Sequence, residues 1–491
     1  MDFALIIRTI KEKITDTDRS VFLIILSFSL IALTRWVFGF VPGLMLLATI
    51  PLFFLSLLRP KAGVLSLIVL TVLFERFFTL ESFQFGTSMI KLYPLDIVLF
   101  GVYVGVLAKM IYGKARFFLD RVSVFLILFF VLASIYFIES VIGFNTEDIS
   151  VAFSTWKNYV FYGVLFFVLP LILENESDIK QVVKYFLFAV VLGIIFIIIG
   201  VIRGEGLWTE FTPLSTEGVR LLSFPHAFYF SLAVLGMIVT GTFWEQYRYR
   251  AVLWIALALW IFGIVGSLMR HMWIGMFVSL IFSYVFLFDR TLRIRTKRMF
   301  LVVFISSSVL LFSAFFLTLI VPTSTIGHRV QSIVETVSLR LTSIGSTADT
   351  SISWRGSTWS SAFSALSENP LFGTGFGVRI PVESGEYRDF VEIRNIHNSW
   401  LALLVQMGVL GYVVLSIFLF DLISRIWRIS FLSPFLEALR MALLTLVCYQ
   451  GVVFLAQPYL ETNLTSIFFW LTLGLIQTLL TLVKKNKAVS L

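Results

Sequence analysis

AVLWIALALWIFGIVGSLMRHMWIGMFVSLIFSYVFLFDRTLRIRTKR, residues 251–298, sets the architecture of the chain. It holds two apolar runs, 251–268 and 271–288, each long enough to cross a bilayer. A tight turn carrying Arg270 and His271 separates them, and the second run ends in Arg290, Arg293, Arg295, Lys297 and Arg298. A water-soluble helix pair would need a polar face, and these runs have none. The rest of the chain repeats the pattern. Hydrophobic residues make up 58%, charged residues 14%, and mean hydropathy is +0.95. The fold class expected is therefore all-α, a polytopic transmembrane helical bundle.

Fourteen spans are expected, with twelve as the alternative count: 20–38, 40–58, 62–80, 95–112, 119–140, 151–172, 181–202, 223–243, 251–268, 271–288, 299–321, 398–423, 437–456 and 464–483. The first follows a basic leader (Arg8, Lys11, Lys13, Arg19), and with no small-residue cleavage site after it, it reads as a retained helix. Alternate turns are basic: Arg59 and Lys61; Lys109, Lys114, Arg116 and Arg121; Lys180 and Lys184; Arg248 and Arg250; the 290–298 cluster; Arg425 and Arg428; Lys484, Lys485 and Lys487. The positive-inside rule puts these turns and both termini in the cytoplasm, so the net charge of +9 reports topology and not nucleic-acid binding. The single cysteine, Cys448, lies in an apolar run and permits no internal disulfide.

The other side receives the stretch 322–397, too long and polar for a turn. The expected organisation is N-terminal helices over 1–220, central helices with the Arg270 turn over 221–321, the external loop over 322–397 and C-terminal helices over 398–491. Within the loop, apolar spacing predicts amphipathic helices at 327–341 and 351–367, followed by the tight turn Gly373-Thr374-Gly375-Phe376-Gly377. Glu383, Glu386, Asp389 and Glu392, spaced by three, would form one anionic stripe on a helix, with Arg388 and Arg394 as partners.

Topology does not require charge on the outer side, so the arginines there carry information: Arg220, Arg270, Arg329, Arg340, Arg355, Arg379, Arg388 and Arg394. Snorkelling accounts for an interfacial cation such as Arg270, and an anion clamp is the functional alternative. A guanidinium suits a clamp because its planar fork grips phosphate at two points and stays charged. His397 opens HNSW where the polar loop meets an apolar run, a position open to both water and lipid. Its ordinary pKa of about 6.5 fits a proton acceptor. His226, His271 and His328 have no zinc-like spacing, so no metal is expected. Lys157 and the pair Glu75-Arg76 lie within apolar runs and are candidates to line a cavity.

The run HNSWLALLVQMGVLG, 397–411, resembles the signature of the O-antigen ligase/O-antigen polymerase superfamily, with His-Asn followed at fixed spacing by Gly408 and Gly411. WRGSTW at 354–359 leading to NPLFGTG at 369–375, the segment Ser267–Gly275 with Arg270, and Arg220 through Pro225-His226 resemble further elements in the same order. His226 departs from the family's Pro-Asn, which leaves that position's role open. The resemblance spans roughly residues 220–415.

It implies a metal-independent, cofactor-free glycosyltransferase of the GT-C type in the bacterial cytoplasmic membrane, its site facing the periplasm or exterior. The implied donor is an undecaprenyl-pyrophosphate-linked glycan, and the acceptor is a glycan or lipid A-core. The implied catalytic residue is His397, with Arg270, Arg355 and Arg220 on the pyrophosphate and Asn398, His226 and His271 in support. A ligase is favoured over a polymerase by how closely HNSWLALLVQMGVLG follows the ligase pattern. A lipid-linked glycan flippase or transporter is the alternative of another class, disfavoured because no internal repeat is visible.

Overall fold

The computed structural model describes residues 15–38, 42–73, 83–85, 88–90, 92–113, 119–143, 148–203, 222–240, 250–290, 350–384 and 387–489, with scattered positions from 292 to 316. Chain order is α1 Asp16–Phe38, α2 Pro42–Leu58, α3 Pro60–Leu73, a short hairpin β1 Phe83–Phe85 and β2 Ser88–Ile90, then α4 Pro94–Ile111 and α5 Arg121–Ile142. Next come α6 Ile149–Trp156, a π-turn Lys157–Phe161, α7 Leu165–Ile172, α8 Glu176–Leu192, α9 Ile194–Arg203, α10 Phe224–Val239, α11 Arg250–Gly266 and α12 Arg270–Phe282. α13 Thr350–Glu368 leads to the hairpin β3 Arg379–Ser384 and β4 Tyr387–Glu392, then α14 Ser399–Trp427, α15 Pro434–Val453 and α16 Asn463–Val489.

Among the described residues, 8 helices are long and apolar enough to cross a membrane, and the chain is a polytopic helical membrane protein. α5 makes the solvent evident. It buries Val122, Leu126, Phe129 and Ala133, while its outward stripe of Val124, Val131, Ile135 and Ile138 is about half exposed and wholly apolar. Such a face belongs in lipid. The expected spans at 299–321 and the helix at 327–341 lie in segments outside the described residues, apart from scattered positions before 317.

Two compact units are present. Unit 1 comprises Met1–Leu119 and Phe166–Ala189. In it Gly101 and Gly105 of α4 lie against the α2 backbone at Phe53 and Leu57, the close approach small residues allow in membranes. Lys61 pairs with Asp178.

Unit 2 comprises Asp120–Leu165 and Val190–Leu491. Its helices begin at recognisable caps: Asp120 accepts from Ser123 N at 3.0 Å, Asp148 from Ser150 N at 3.0 Å, and Asn398 from Leu401 N at 3.1 Å. α5 runs between two polar ends. At its start Asp120 meets Arg425 at 3.4 Å and Lys484 at 3.2 Å. Near its end Tyr136 Oη donates to the Phe372 carbonyl at 2.6 Å, and Ser140 Oγ to that of Phe376 at 2.9 Å.

The predicted helix at 351–367 is present as α13. The acidic series after it is not helical. β3 and β4 pair as antiparallel strands, with Glu383 opposite Arg388 and Arg379 opposite Glu392. Ile380, Val382 and Val391 alternate inward and pack with Ala362, Leu401 and Val405. That period of two outweighs the spacing of the carboxylates, so no anionic stripe forms.

Candidate functional site

The segment HNSW places its histidine through backbone strain. His397 has φ +53°, unusual for a residue with a side chain, and Asn398 immediately caps α14. The turn before it is held by Trp359 Nε1 donating to the Ile396 carbonyl at 2.8 Å. Nine residues after Ser399, Gly408 breaks α14 with φ +61°. NPLFGTG docks on this break: Val409 N donates to Pro370 O at 2.9 Å, Leu410 N to Leu371 O at 3.1 Å, Thr374 N to Val405 O at 2.8 Å and Gly375 N to Gln406 O at 3.0 Å. A Cβ on Gly408 would strike the Leu371 carbonyl, and one on Gly373 the Val405 carbonyl. The two glycine motifs are thus halves of one joint.

One loop, 454–462 between α15 and α16, gathers the remaining pieces. Gln457 Oε1 lies 2.9 Å from His397 Nδ1. Tyr459 Oη lies 2.7 Å from His271 Nε2. The Tyr459 ring stacks on Phe224 at 5.9 Å and packs on Phe228 at 5.5 Å. Ser399 Oγ donates to Glu461 Oε2 at 2.6 Å, and Tyr159 Oη to Glu461 Oε1 at 2.8 Å. The starts of α10, α12 and α14 therefore meet on this loop, in which Glu461 is buried.

Arg270 begins α12 just after Leu268, whose φ of +59° makes the turn abrupt. Arg270 is half-buried and directly precedes His271. Arg355 lies on the first turns of α13, its Nε shielded from solvent, close enough for its charge to act on His397. Burial pushes the His397 imidazole below its usual range, the Gln457 hydrogen bond pushes it up, and the Arg355 guanidinium pushes it down again. The net shift is downward, which favours the neutral ring, in which one nitrogen keeps a lone pair.

The other expected residues are placed differently. Asn398 uses its side-chain oxygen on the helix cap. His226 is buried, its Nδ1 2.8 Å from Ser223 Oγ and its ring 4.1 Å from that of Phe196. Lys157 is buried in the π-turn, near the rings of Phe153 and Tyr162. Arg379 pairs with Asp148 at 3.6 Å. Arg220, His328, Arg329, Arg340 and the Glu75-Arg76 pair lie outside the described residues.

Gln457, Tyr459, Glu461 and Tyr159 were not among the expected site residues. The signal for three of them was available: QPYLETN, 457–463, is a polar stretch between two apolar runs, on the side where the positive-inside rule demands no charge.

Residues 251–416, about a third of the chain, match the family described as O-Antigen ligase. The match bears out the resemblance to the O-antigen ligase/O-antigen polymerase superfamily, and it covers Arg270, Arg355, NPLFGTG and the HN…G…G run. The loop bearing Gln457, Tyr459 and Glu461 lies beyond it. No curated protein matches the chain.

Proposed function

We propose that this O-antigen ligase family membrane enzyme transfers a glycan from undecaprenyl pyrophosphate to an acceptor hydroxyl, without a metal, on the outer side of the cytoplasmic membrane. The observation that carries the reading is His397, held by Gln457 at 2.9 Å, within reach of the Arg355 charge and joined to the Arg270-His271 turn through one loop. The positive-inside rule supports an outward-facing site, since Arg425 and Lys484 meet Asp120 at the opposite end of α5.

Nucleotide sugars are confined to the cytoplasm, so a donor outside must carry its own leaving group. A polyprenyl pyrophosphate does, with its tail in lipid. The acceptor oxygen attacks the anomeric carbon as the bond from that carbon to the pyrophosphate oxygen breaks. The acceptor proton passes to the free nitrogen of His397, and the negative charge gained by undecaprenyl pyrophosphate is met by Arg355 and Arg270, with Arg220 as a third cation. Fixed guanidinium groups in a partly desolvated pocket need no reorganisation when that charge develops. His271 orients the Arg270 turn through Tyr459, and Asn398 fixes the backbone that carries His397.

Purified protein incubated with a lipid-linked repeat unit, with and without lipid A-core, tests the reading. Glycan transfer that requires the core acceptor is the expected result and identifies a ligase. A ladder of longer lipid-linked chains identifies a polymerase instead. No transfer under either condition contradicts a glycosyltransferase and returns the chain to the transporter class.

A further inference from the structure

Gln457 occupies an unusual place for a glutamine. It directly precedes Pro458, which biases its backbone toward extended conformations. Its carbonyl accepts from Ser399 Oγ at 3.2 Å and from Tyr459 N at 2.9 Å. Leu460 N donates to Ser399 Oγ at 3.0 Å, and Ser399 N donates to Phe454 O at 2.8 Å. Four hydrogen bonds thus fasten this loop to itself and to the residue two positions after His397. On that anchored backbone, the Gln457 side chain reaches Nδ1 of a histidine whose own backbone is strained.

We infer that Gln457 is the positioning residue for His397, accepting the Nδ1 proton so that Nε2 is the nitrogen that receives the acceptor's proton. The inference rests on the proposed role of His397. An imidazole has two nitrogens, and the hydrogen bond at one decides which the other becomes. With Gln457 Oε1 as acceptor, Nδ1 carries the hydrogen and Nε2 the lone pair.

The choice of an amide is itself informative. A carboxylate in the same place would hold the ring equally well but would favour its protonated form, so a smaller share of rings would carry a lone pair at neutral pH. A glutamine fixes orientation without that charge. Among the described residues, the guanidinium of Arg355 on α13 acts on the His397 ring, and the nearest carboxylate along the anchored loop, Glu461, is held by Ser399 Oγ at 2.6 Å. The carboxylate of Glu461 accepts from Ser399 and Tyr159, so it braces the loop and leaves the ring's partner neutral.

Three variants read this out in the transfer assay. His397→Ala is inactive if the ring takes the proton. Gln457→Ala lowers kcat about 10- to 100-fold with KM within about twofold. Gln457→Glu keeps an acceptor oxygen at Nδ1 and the native shape. It is expected to restore kcat at high pH, with the acid limb of the rate profile moved up by about one pH unit or more. This rescue also covers the case in which Gln457→Ala folds poorly.

A Gln457→Glu profile that superimposes on the unmodified protein overturns the inference. So does a folded Gln457→Glu protein inactive at every pH, because the amide then donates to Nδ1. If Gln457→Ala has full kcat while His397→Ala is inactive, only the positioning role falls. If His397→Ala is fully active, the base itself falls, whatever Gln457 does.

Discussion

In unit 1, Gly63, Gly101 and Gly105 sit in uninterrupted helix, and a Cβ at Gly105 would strike the Leu57 carbonyl of the neighbouring helix. In unit 2, Gly373 and Gly408 have φ of +75° and +61°, and each fills the space in which the other's loop or helix turns. The first set brings helices close and changes nothing about their course. The second set breaks a membrane helix and docks a polar loop against the break, on the helix whose first residue follows His397 and Asn398. Packing in unit 1 is what a span in lipid needs for stability. The strained turns at Leu268, His397 and Gly408 in unit 2 are what a site needs to aim side chains.

The largest expected effect falls on the strained side of this contrast. His397→Ala should lower the transfer rate by about 10²–10⁴, measured with purified, correctly folded protein. Transfer by the unmodified protein should also rise with pH and level off. Burial and Arg355 hold the imidazole below its usual value, so the midpoint should lie below about 6.5. A midpoint well above that value would mean the ring is paired with an anion.

Arg355→Ala and Arg270→Ala should each lower transfer by about 10²–10³, as expected for losing a fixed donor to a charge that develops during reaction. The glycines come next. Gly408→Ala should destabilise unit 2 by about 2–5 kcal/mol and slow transfer per folded molecule, because positive φ and a carbonyl collision add together. Gly105→Ala should lower the melting temperature in detergent by a comparable cause, with the rate per folded molecule unchanged. Equal rate losses for the two would erase the distinction between the units.

The smallest effect is expected at the other end of α5. Asp120→Ala should cost about 1 kcal/mol through loss of the cap, with transfer unaffected. Burial pushes the Asp120 carboxyl up, but the Ser123 backbone and hydroxyl and the Lys484 ammonium outweigh it and hold it below the usual range. A depressed carboxylate stabilises the fold above its unfolded pKa. The difference in melting temperature between the two proteins should therefore be full above about pH 4 and fade as pH falls further.

Much of this was legible from residue pattern. Apolar runs and basic turns foretold a helical membrane protein because a helix satisfies its own backbone in lipid and runs of about 20 apolar residues are longer than a barrel strand needs. The helix at α13 followed from apolar spacing, and NPLFGTG with HN…G…G marked the joint without revealing that the two touch. The hairpin at 379–392 was missed because charge spacing was read where the period of Ile380 and Val382 governs. Gln457 and Tyr459 were missed for a different reason. Their importance lies in contacts with His397 and His271 across 60 and 188 positions of chain, which local pattern does not encode. The π-turn at Lys157–Phe161 likewise replaces what read as one regular span.

Binding and turnover separate the clamp from the base, and one titration reads both. Undecaprenyl pyrophosphate would be titrated onto the unmodified protein, Arg355→Ala, Arg270→Ala and His397→Ala, each then assayed for transfer. The account predicts that both arginine variants lose affinity for the diphosphate, while His397→Ala still binds it and fails to transfer. Arginine variants that bind as tightly as the unmodified protein, or a His397→Ala protein that transfers at the normal rate, would contradict it.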